Sequence, residues 1–248
     1  MEKRELIKRL EDLAELCSKR SEVTATHFLT PEELYEAEHE LKQSRFGTYV
    51  ADGGGLNCER KMIFFLPEWL ESDYFDAGEF IAAVKFKAFF GEPGHRDYLG
   101  AMMGRGITRD SVGDIMVAGQ DTYVFCRKTV SDDICSMDSV GRFTVRGQKV
   151  ELAEVPVMER KTKSTSFTVM SPRLDAVISG IFNISRGDAC ELIKSERVEV
   201  NYKTAVKNDM QINAGDIISA RGLGKAEVKA FGGISKRGRQ FINAEIYC

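Results

Sequence analysis

The sequence predicts an α+β protein made of three successive segments, and three observations carry that prediction. Leucines at helical spacing and a proline-led helix start fall within the first 44 residues. Residues 79–156 alternate as strand, helix, strand, strand, helix, strand. From Ser171 onward the chain reads as two short capped helices followed by compact strands. The expected domains are residues 1–72, an N-terminal helical and hairpin region; 73–165, the middle domain; and 171–248, the C-terminal domain.

The totals set bounds. With 248 residues, 43% of them apolar, the chain has material for real cores and is not globally disordered. No apolar run approaches the roughly 20 residues of a membrane helix. The opening MEKRELIKRLEDLAELCSKR is charged throughout, unlike a signal peptide, so a cytosolic location is expected. Cys17, Cys58, Cys126, Cys135, Cys190 and Cys248 form no CxxC pair and have no histidine near two of them. Their spacing argues against structural zinc and for reduced thiols packed as small hydrophobes.

In the N-terminal region, Leu6, Leu10, Leu13 and Leu16, with Ile7 and Ala14 beside them, define a first helix. Thr30 as cap, Pro31 in the first helical position and Glu33 completing a capping box start a second. Gly53 to Gly55 then divide two strand-like runs. A glycine run cradles phosphate when it leads into a helix, but this one leads into KMIFFL, so a hairpin turn is expected.

In the middle domain, FIAAVKFKAF is a strand with Phe80, Ala82, Val84 and Phe86 on one face and Lys85 and Lys87 on the other. RDYLGAMMG is a short helix, GDIMVAGQDTYVFC a strand pair turning at Gly119, KTVSDDICSM a second helix and RFTVRGQKVEL a last strand. That order is ferredoxin-like, and it is also the order of RNA-recognition motifs. Tyr123 and Phe125 share a strand face, where two roles compete: packing in a core or stacking on bases. ERKTKSTSFTV, from Glu159, reads as an edge strand or a connector.

The net charge of −3 hides an asymmetry. Residues 1–170 are net −6 and residues 171–248 net +3, and Arg221 to Arg239 hold six basic residues against Glu227 alone. Such asymmetry suits either a nucleic-acid partner or a solvated hairpin. Ser171 as cap and Pro172 as first helical residue lead into Leu174, Val177, Ile178 and Ile181, an apolar stripe. Ser185 and Asp188 start the second helix, which puts Arg186 in its first turn, where the helix dipole disfavours a cation. A guanidinium beside exposed helix N–H groups converges on a phosphate oxygen. A freely solvated side chain is the competing explanation for that residue alone. Val198 and Val200 run into a turn at Asn201–Lys203, GDIISARG is a further strand, and Gly222 and Gly224 bracket a turn before Lys225.

The series RLD…SRGDACELI…VEVN…GDIISARGLGK, within Pro172 to Ala230, resembles the S4 RNA-binding domain. One departure is Tyr202, where that domain usually has glycine after the asparagine. The resemblance implies that Arg173, Ser185, Arg186, Lys194, Lys203, Arg221 and Lys225 face RNA. GHRDYLGAMMGRGITRDSVGDIMV, with ERKMIFFLP upstream, is similar to the YlmH-like proteins, which join an S4 domain to an RNA-recognition-like middle domain. That similarity extends over nearly the whole chain. It implies a cytosolic RNA-binding protein of bacteria; from the residues themselves the expectation is a non-catalytic monomer without cofactor or metal. The implied partners are rRNA and tRNA on the large ribosomal subunit, in rescue or quality control of stalled nascent chains, with a link to cell division. Neither a membrane nor a small-molecule substrate is implied.

Enzyme readings fare worse. His95-Arg96-Asp97 matches a kinase triplet but lacks the downstream Asn, the Gly-rich loop and DFG. Gly222–Lys225 resembles the end of a phosphate loop, yet Ala226 replaces the magnesium-binding Ser or Thr. Arg173-Leu174-Asp175 resembles a pseudouridine-synthase segment, but Asp175 lies within the S4-like helix and reads as a local helix partner. A methyltransferase would need a Gly-rich nucleotide loop after a first strand, and none is present. An RNA-modifying enzyme with an appended S4 domain remains the alternative function.

Overall fold

A computed structural model describes residues 3–43, 46–157 and 162–247. Contacts divide the chain into two compact units, Met1–Met158 and Glu159–Cys248. Among the described residues there are three antiparallel sheets and six α-helices.

The first unit opens with α1 (Lys3–Arg20), β1 (Thr24–Ala25), α2 (Pro31–Gln43), β2 (Thr48–Asp52) and β3 (Met62–Leu66). Thr30 and Glu33 cap α2 reciprocally: the Glu33 carboxylate accepts the Thr30 N–H at 2.9 Å, and Thr30 Oγ1 accepts the Glu33 N–H at 3.2 Å. Strand β3 is the centre of the sheet β1-β3-β2 and is buried along its whole length. Its alternation serves two cores. Ile63 and Phe65 pack with Leu6, Leu10 and Cys17 of α1 and with Ala37 and Leu41 of α2. Met62, Phe64 and Leu66 pack the other way. A strand covered on both faces is a continuous apolar run for this reason.

The unit continues with β4 (Ile81–Ala88), α3 (His95–Gly104), β5 (Val112–Ala118), β6 (Asp121–Arg127), α4 (Ser131–Cys135), β7 (Ser139–Val140) and β8 (Phe143–Val150). The sheet order is β5-β6-β4-β8-β7, with β7 a short addition to the expected series. One sheet face, with Val84, Phe86, Val124 and Cys126, packs against Tyr98 and Met102 of α3 and Ile134 of α4. The opposite face brings Ile81, Ala83 and Phe125 against Phe28, Met62 and Phe64. Tyr123 is 8% exposed and Phe125 fully buried, so neither ring is offered to a base. Of the two competing roles the fold takes packing: Phe125 lies in the core shared with the N-terminal sheet, and Tyr123 is buried beside Lys85.

The glycine run explains the close approach. Strands β2 and β3 pair antiparallel, but residues 53–61 join them in a loop longer than a tight hairpin turn. A Cβ at Gly54 would lie 2.8 Å from Ile81 and one at Gly55 2.7 Å from Phe125. Gly54 also has φ +88°. Any side chain here would push the loop off the middle sheet.

The second unit holds β9 (Thr162–Val169), α5 (Leu174–Phe182), α6 (Arg186–Lys194), β10 (Val198–Val200), β11 (Lys203–Thr204), β12 (Ile217–Ala220), β13 (Gly224–Ile234) and β14 (Gln240–Tyr247). Its sheet runs β11-β10-β12-β13-β14-β9. Every residue of β9 pairs with β14, from Thr162 opposite Tyr247 to Val169 opposite Gln240. This segment is therefore an edge strand of the C-terminal sheet, and the unit starts earlier than the expected Ser171. Helix α5 also starts later than expected. Pro172 and Arg173 are extended because the backbone bonds sideways: Ile212 N–H to Pro172 O at 2.9 Å and Leu174 N–H to Met210 O at 2.8 Å. Arg173, not Ser171, is the N-cap residue. Cys17, Cys58, Cys126, Cys135 and Cys190 are free thiols, and Cys248 lies outside the described residues.

Candidate nucleic-acid interface

The site is built on a buried carboxylate. Asp175 sits in the first turn of α5 and is 3% exposed. A lone buried carboxylate is costly, so its oxygens must be occupied. Arg186 donates to Oδ2 at 2.6 Å and Arg173 to Oδ1 at 3.3 Å, and the Ala176 N–H reaches Oδ1 at 2.8 Å. Burial pushes the Asp175 carboxyl up. The hydrogen bond and charge of Arg186, the charge of Arg173 and the Ala176 amide outweigh it and hold the group below the usual carboxylate range. The Arg186 side chain nevertheless remains 60% exposed. Two guanidiniums share one negative charge, leaving a net positive charge at the surface.

Local chemistry fixes where these arginines stand. Ser185 is the N-cap of α6, and its Oγ accepts the Asp188 N–H at 3.1 Å while its hydroxyl donates to Asp188 Oδ2 at 2.7 Å. That cap sets Arg186 as the first helical residue. Ser185 thus acts by holding the helix start, with its hydroxyl already engaged in both directions.

Arg173 and Arg186 line a cleft of about 390 Å³ with Phe167, Thr168, Ser179 and Arg239. Arg239 is anchored on β9: its Nε donates to Thr168 Oγ1 at 3.1 Å and its guanidinium to Thr168 O at 2.7 Å. The helix side of this cleft is held by an intimate contact. A Cβ on Gly180 of α5 would stand 2.1 Å from the Phe167 ring. Arg239 is not among the residues that the sequence singles out. Its only signal there is membership of the basic run Arg221 to Arg239, and nothing local to it announces its partner strand.

Other expected residues form separate groups. Lys225 Nζ lies 4.9 Å from the Tyr202 ring centroid and 5.7 Å from that of Tyr247, cradled between two aromatic rings. Lys203 begins β11 directly after Tyr202 and is exposed. The turn joining β10 to β11 has φ +49° at Asn201 and +64° at Tyr202, the left-handed pair of a two-residue hairpin. The turn therefore keeps its geometry without the usual glycine. Arg221 has no carboxylate partner among the described residues; its carbonyl accepts the Arg197 guanidinium at 3.0 Å, and both line a shallow cleft with Asp188 and Glu191. Lys194 is exposed in the last turn of α6, where the dipole favours it. It lies about 12 Å further along the helix axis than Arg186 and so stands apart from the Asp175 group.

Among the described residues no group of three or more His, Cys, Asp or Glu is placed to hold a metal ion. No described helix is long and apolar enough to cross a membrane. The chain is thus a mixed α+β protein whose C-terminal unit presents anchored guanidiniums suited to anionic oxygens. Family models described as "YlmH, N-terminal" and "Putative RNA-binding domain in YlmH" match residues 2–68 and 75–154. The chain belongs to the YlmH family. It is 27% identical over 221 residues to the "Ribosome-associated protein quality control protein P2" of Bacillus subtilis strain 168, covering 89% of this chain and 86% of that one. An alignment of that length must reach into the second unit. The solved structure of the "Cell division protein ylmH from Streptococcus pneumoniae" is 14% identical and superposes with a TM-score of 0.52, covering 62% of this chain and 94% of that one. That likeness concerns the fold.

Proposed function

We propose that this chain is a non-catalytic, cytoplasmic RNA-binding protein that grips folded rRNA or tRNA on the large ribosomal subunit. Its work is in quality control or rescue of stalled nascent chains, with a connection to cell division. The B. subtilis relative's name, ribosome-associated protein quality control protein P2, supports the first role, and the name of the S. pneumoniae cell division protein supports the second. On this reading residues 1–72 and 73–165 are the N-terminal region and a ferredoxin-like domain. The β7-β8-β4-β6-β5 order of its sheet supports that assignment. The C-terminal unit is an S4 domain extended by β9.

The observation that carries the proposal is the Asp175 clamp. A buried carboxylate holds two arginines at the surface, preorganised to meet phosphate oxygens without losing rotamer freedom on binding. Arg173, Arg186, Lys194, Lys203, Arg221 and Lys225 supply the cations, and Ser185 the helix start. Phosphate contacts give affinity and RNA shape gives selectivity.

If about four to six phosphates are engaged, log affinity falls with log salt at a slope of roughly −3 to −5. Replacing Arg186→Ala and Lys225→Ala together should weaken a structured RNA by at least about tenfold and make that slope shallower by roughly 1.5 to 2. Circular dichroism should stay native. Wild-type binding that ignores salt, or a double variant with undiminished affinity, would contradict the proposal.

A further inference from the structure

The middle sheet has lost half of its open face to the N-terminal sheet, but only half. Along β4 the covered residues are Ile81 and Ala83; the next two on that face are Lys85 and Lys87. Lys85 stands opposite Tyr123 on β6 and Gln148 on β8, and Lys87 opposite Asp121 and Arg146. Lys85 takes the one carboxylate in this group, with its Nζ 2.8 Å from Asp121. Lys87 and Arg146 are exposed and have no ion-pair partner among the described residues. They are nevertheless registered directly across from each other, an arrangement in which like charges repel. Strands β4 and β8 carry four cations and no acidic residue, in a region of the chain that is net negative.

The ladder then runs one residue past β4. Phe89 N–H donates to Thr144 O at 3.1 Å, so the alternation 85, 87, 89 continues. Phe89 is 54% exposed and its neighbour Phe90 84%. A large exposed ring is unfavourable in water, and one beside unpaired cations is placed to meet both the base and the phosphate of a nucleotide. The spacing from Lys87 to Phe89 is about 7 Å along the strand, the scale of a single nucleotide from phosphate to base.

We infer that the uncovered end of the middle sheet is a second RNA site, for unpaired nucleotides. Lys87 and Arg146 take a phosphate between them, relieving their mutual repulsion, and Phe89 gives its ring to a base, with Phe90 beside it. A duplex keeps its bases stacked on each other and has no use for an exposed ring, so single strands, loops and bulges are the fitting ligands. The site deepens the RNA-binding reading above but lies in the other unit and uses none of its residues.

The test uses the full chain and two probes, an oligouridylate of about ten nucleotides and a stable RNA hairpin. Phe89→Ala should weaken the oligonucleotide by about five- to a hundredfold, and Lys87→Ala with Arg146→Ala should weaken it too. Both should leave the hairpin within about twofold. Phe89→Trp should retain affinity and show fluorescence quenching when the oligonucleotide is added. Trp69 is the chain's other tryptophan, and the wild-type signal serves as its control. Unchanged oligonucleotide affinity in the alanine variants overturns the inference, while a hairpin still lost on changing Arg186 and Lys225 leaves the proposed function standing. A variant that keeps RNA affinity but no longer sediments with ribosomes would make this a protein contact and also overturn the inference.

Discussion

The two units each bury a charge and do opposite things with it. In the first, Arg60 is 8% exposed and directs its guanidinium inward. It donates to Phe28 O at 2.8 Å, to Val112 O at 3.2 Å and to Arg109 O at 3.4 Å, while Asp114 accepts the N–H groups of Glu59 and Arg60. In the second, the buried group is the carboxylate of Asp175, and the guanidiniums it holds face solvent. Arg60 commits its donors to backbone carbonyls and ties the N-terminal sheet to the middle one. Arg173 and Arg186 keep donors in reserve. A cation's role is thus read from what its remaining hydrogen-bond capacity faces, not from its presence in a sequence.

The comparison breaks most sharply at Arg60. Arg60→Ala should destabilise the chain by about 3–5 kcal/mol, because it strands buried carbonyls as well as removing the cation. Chemical denaturation measures this. RNA affinity, measured well below the unfolding midpoint, should be unchanged. An RNA defect at native stability would mean that Arg60 is not purely structural.

Asp175→Asn sharpens the other half. If net charge governed binding, removing an acid from a cationic surface would strengthen it. If positioning governs, affinity should fall by about tenfold, with a stability loss of about 2–3 kcal/mol from guanidiniums left beside a neutral amide. Filter binding at fixed salt decides between them. Acid titration probes the same group without mutation. Its pKa is lower in the folded than in the unfolded chain, so the stability it contributes is fully present above about pH 4 and lost as pH falls through the folded value. Asp175→Asn should lack that portion of the acid transition.

What was legible from sequence follows the range of the interaction. Local capping was: Thr30 with Glu33, and Ser185 with Asp188, lie three residues apart and recur in the structure. Alternation revealed which strand residues share a face, as with Tyr123 and Phe125, but not what covers the face. The residues packed against Phe125, Phe28 and Phe64, are distant in the chain. The same limit hid the partner of β9, which pairs with the last strand, and with it the place of Arg239 in the cleft. Asp175 was legible as a helix-local residue; its bond to Arg186, across the turn between two helices, was visible only in the fold.

The smallest expected effect lies at Tyr202. Its φ of +64° is a strained place for an aromatic residue, costing on the order of 1 kcal/mol that glycine would not incur. Against that, its ring holds the Lys225 ammonium, a contact of about 0.5–1 kcal/mol. Tyr202→Gly should therefore leave stability within about 1 kcal/mol of wild type, since the two terms nearly cancel. Affinity for structured RNA should fall only about two- to threefold, because Tyr247 still flanks Lys225. A loss as large as that of Lys225→Ala would make the Tyr202 ring itself an RNA contact. No loss at all would mean that the aromatic cradle does not aim the cation, and that the second unit positions its lysines less tightly than its arginines.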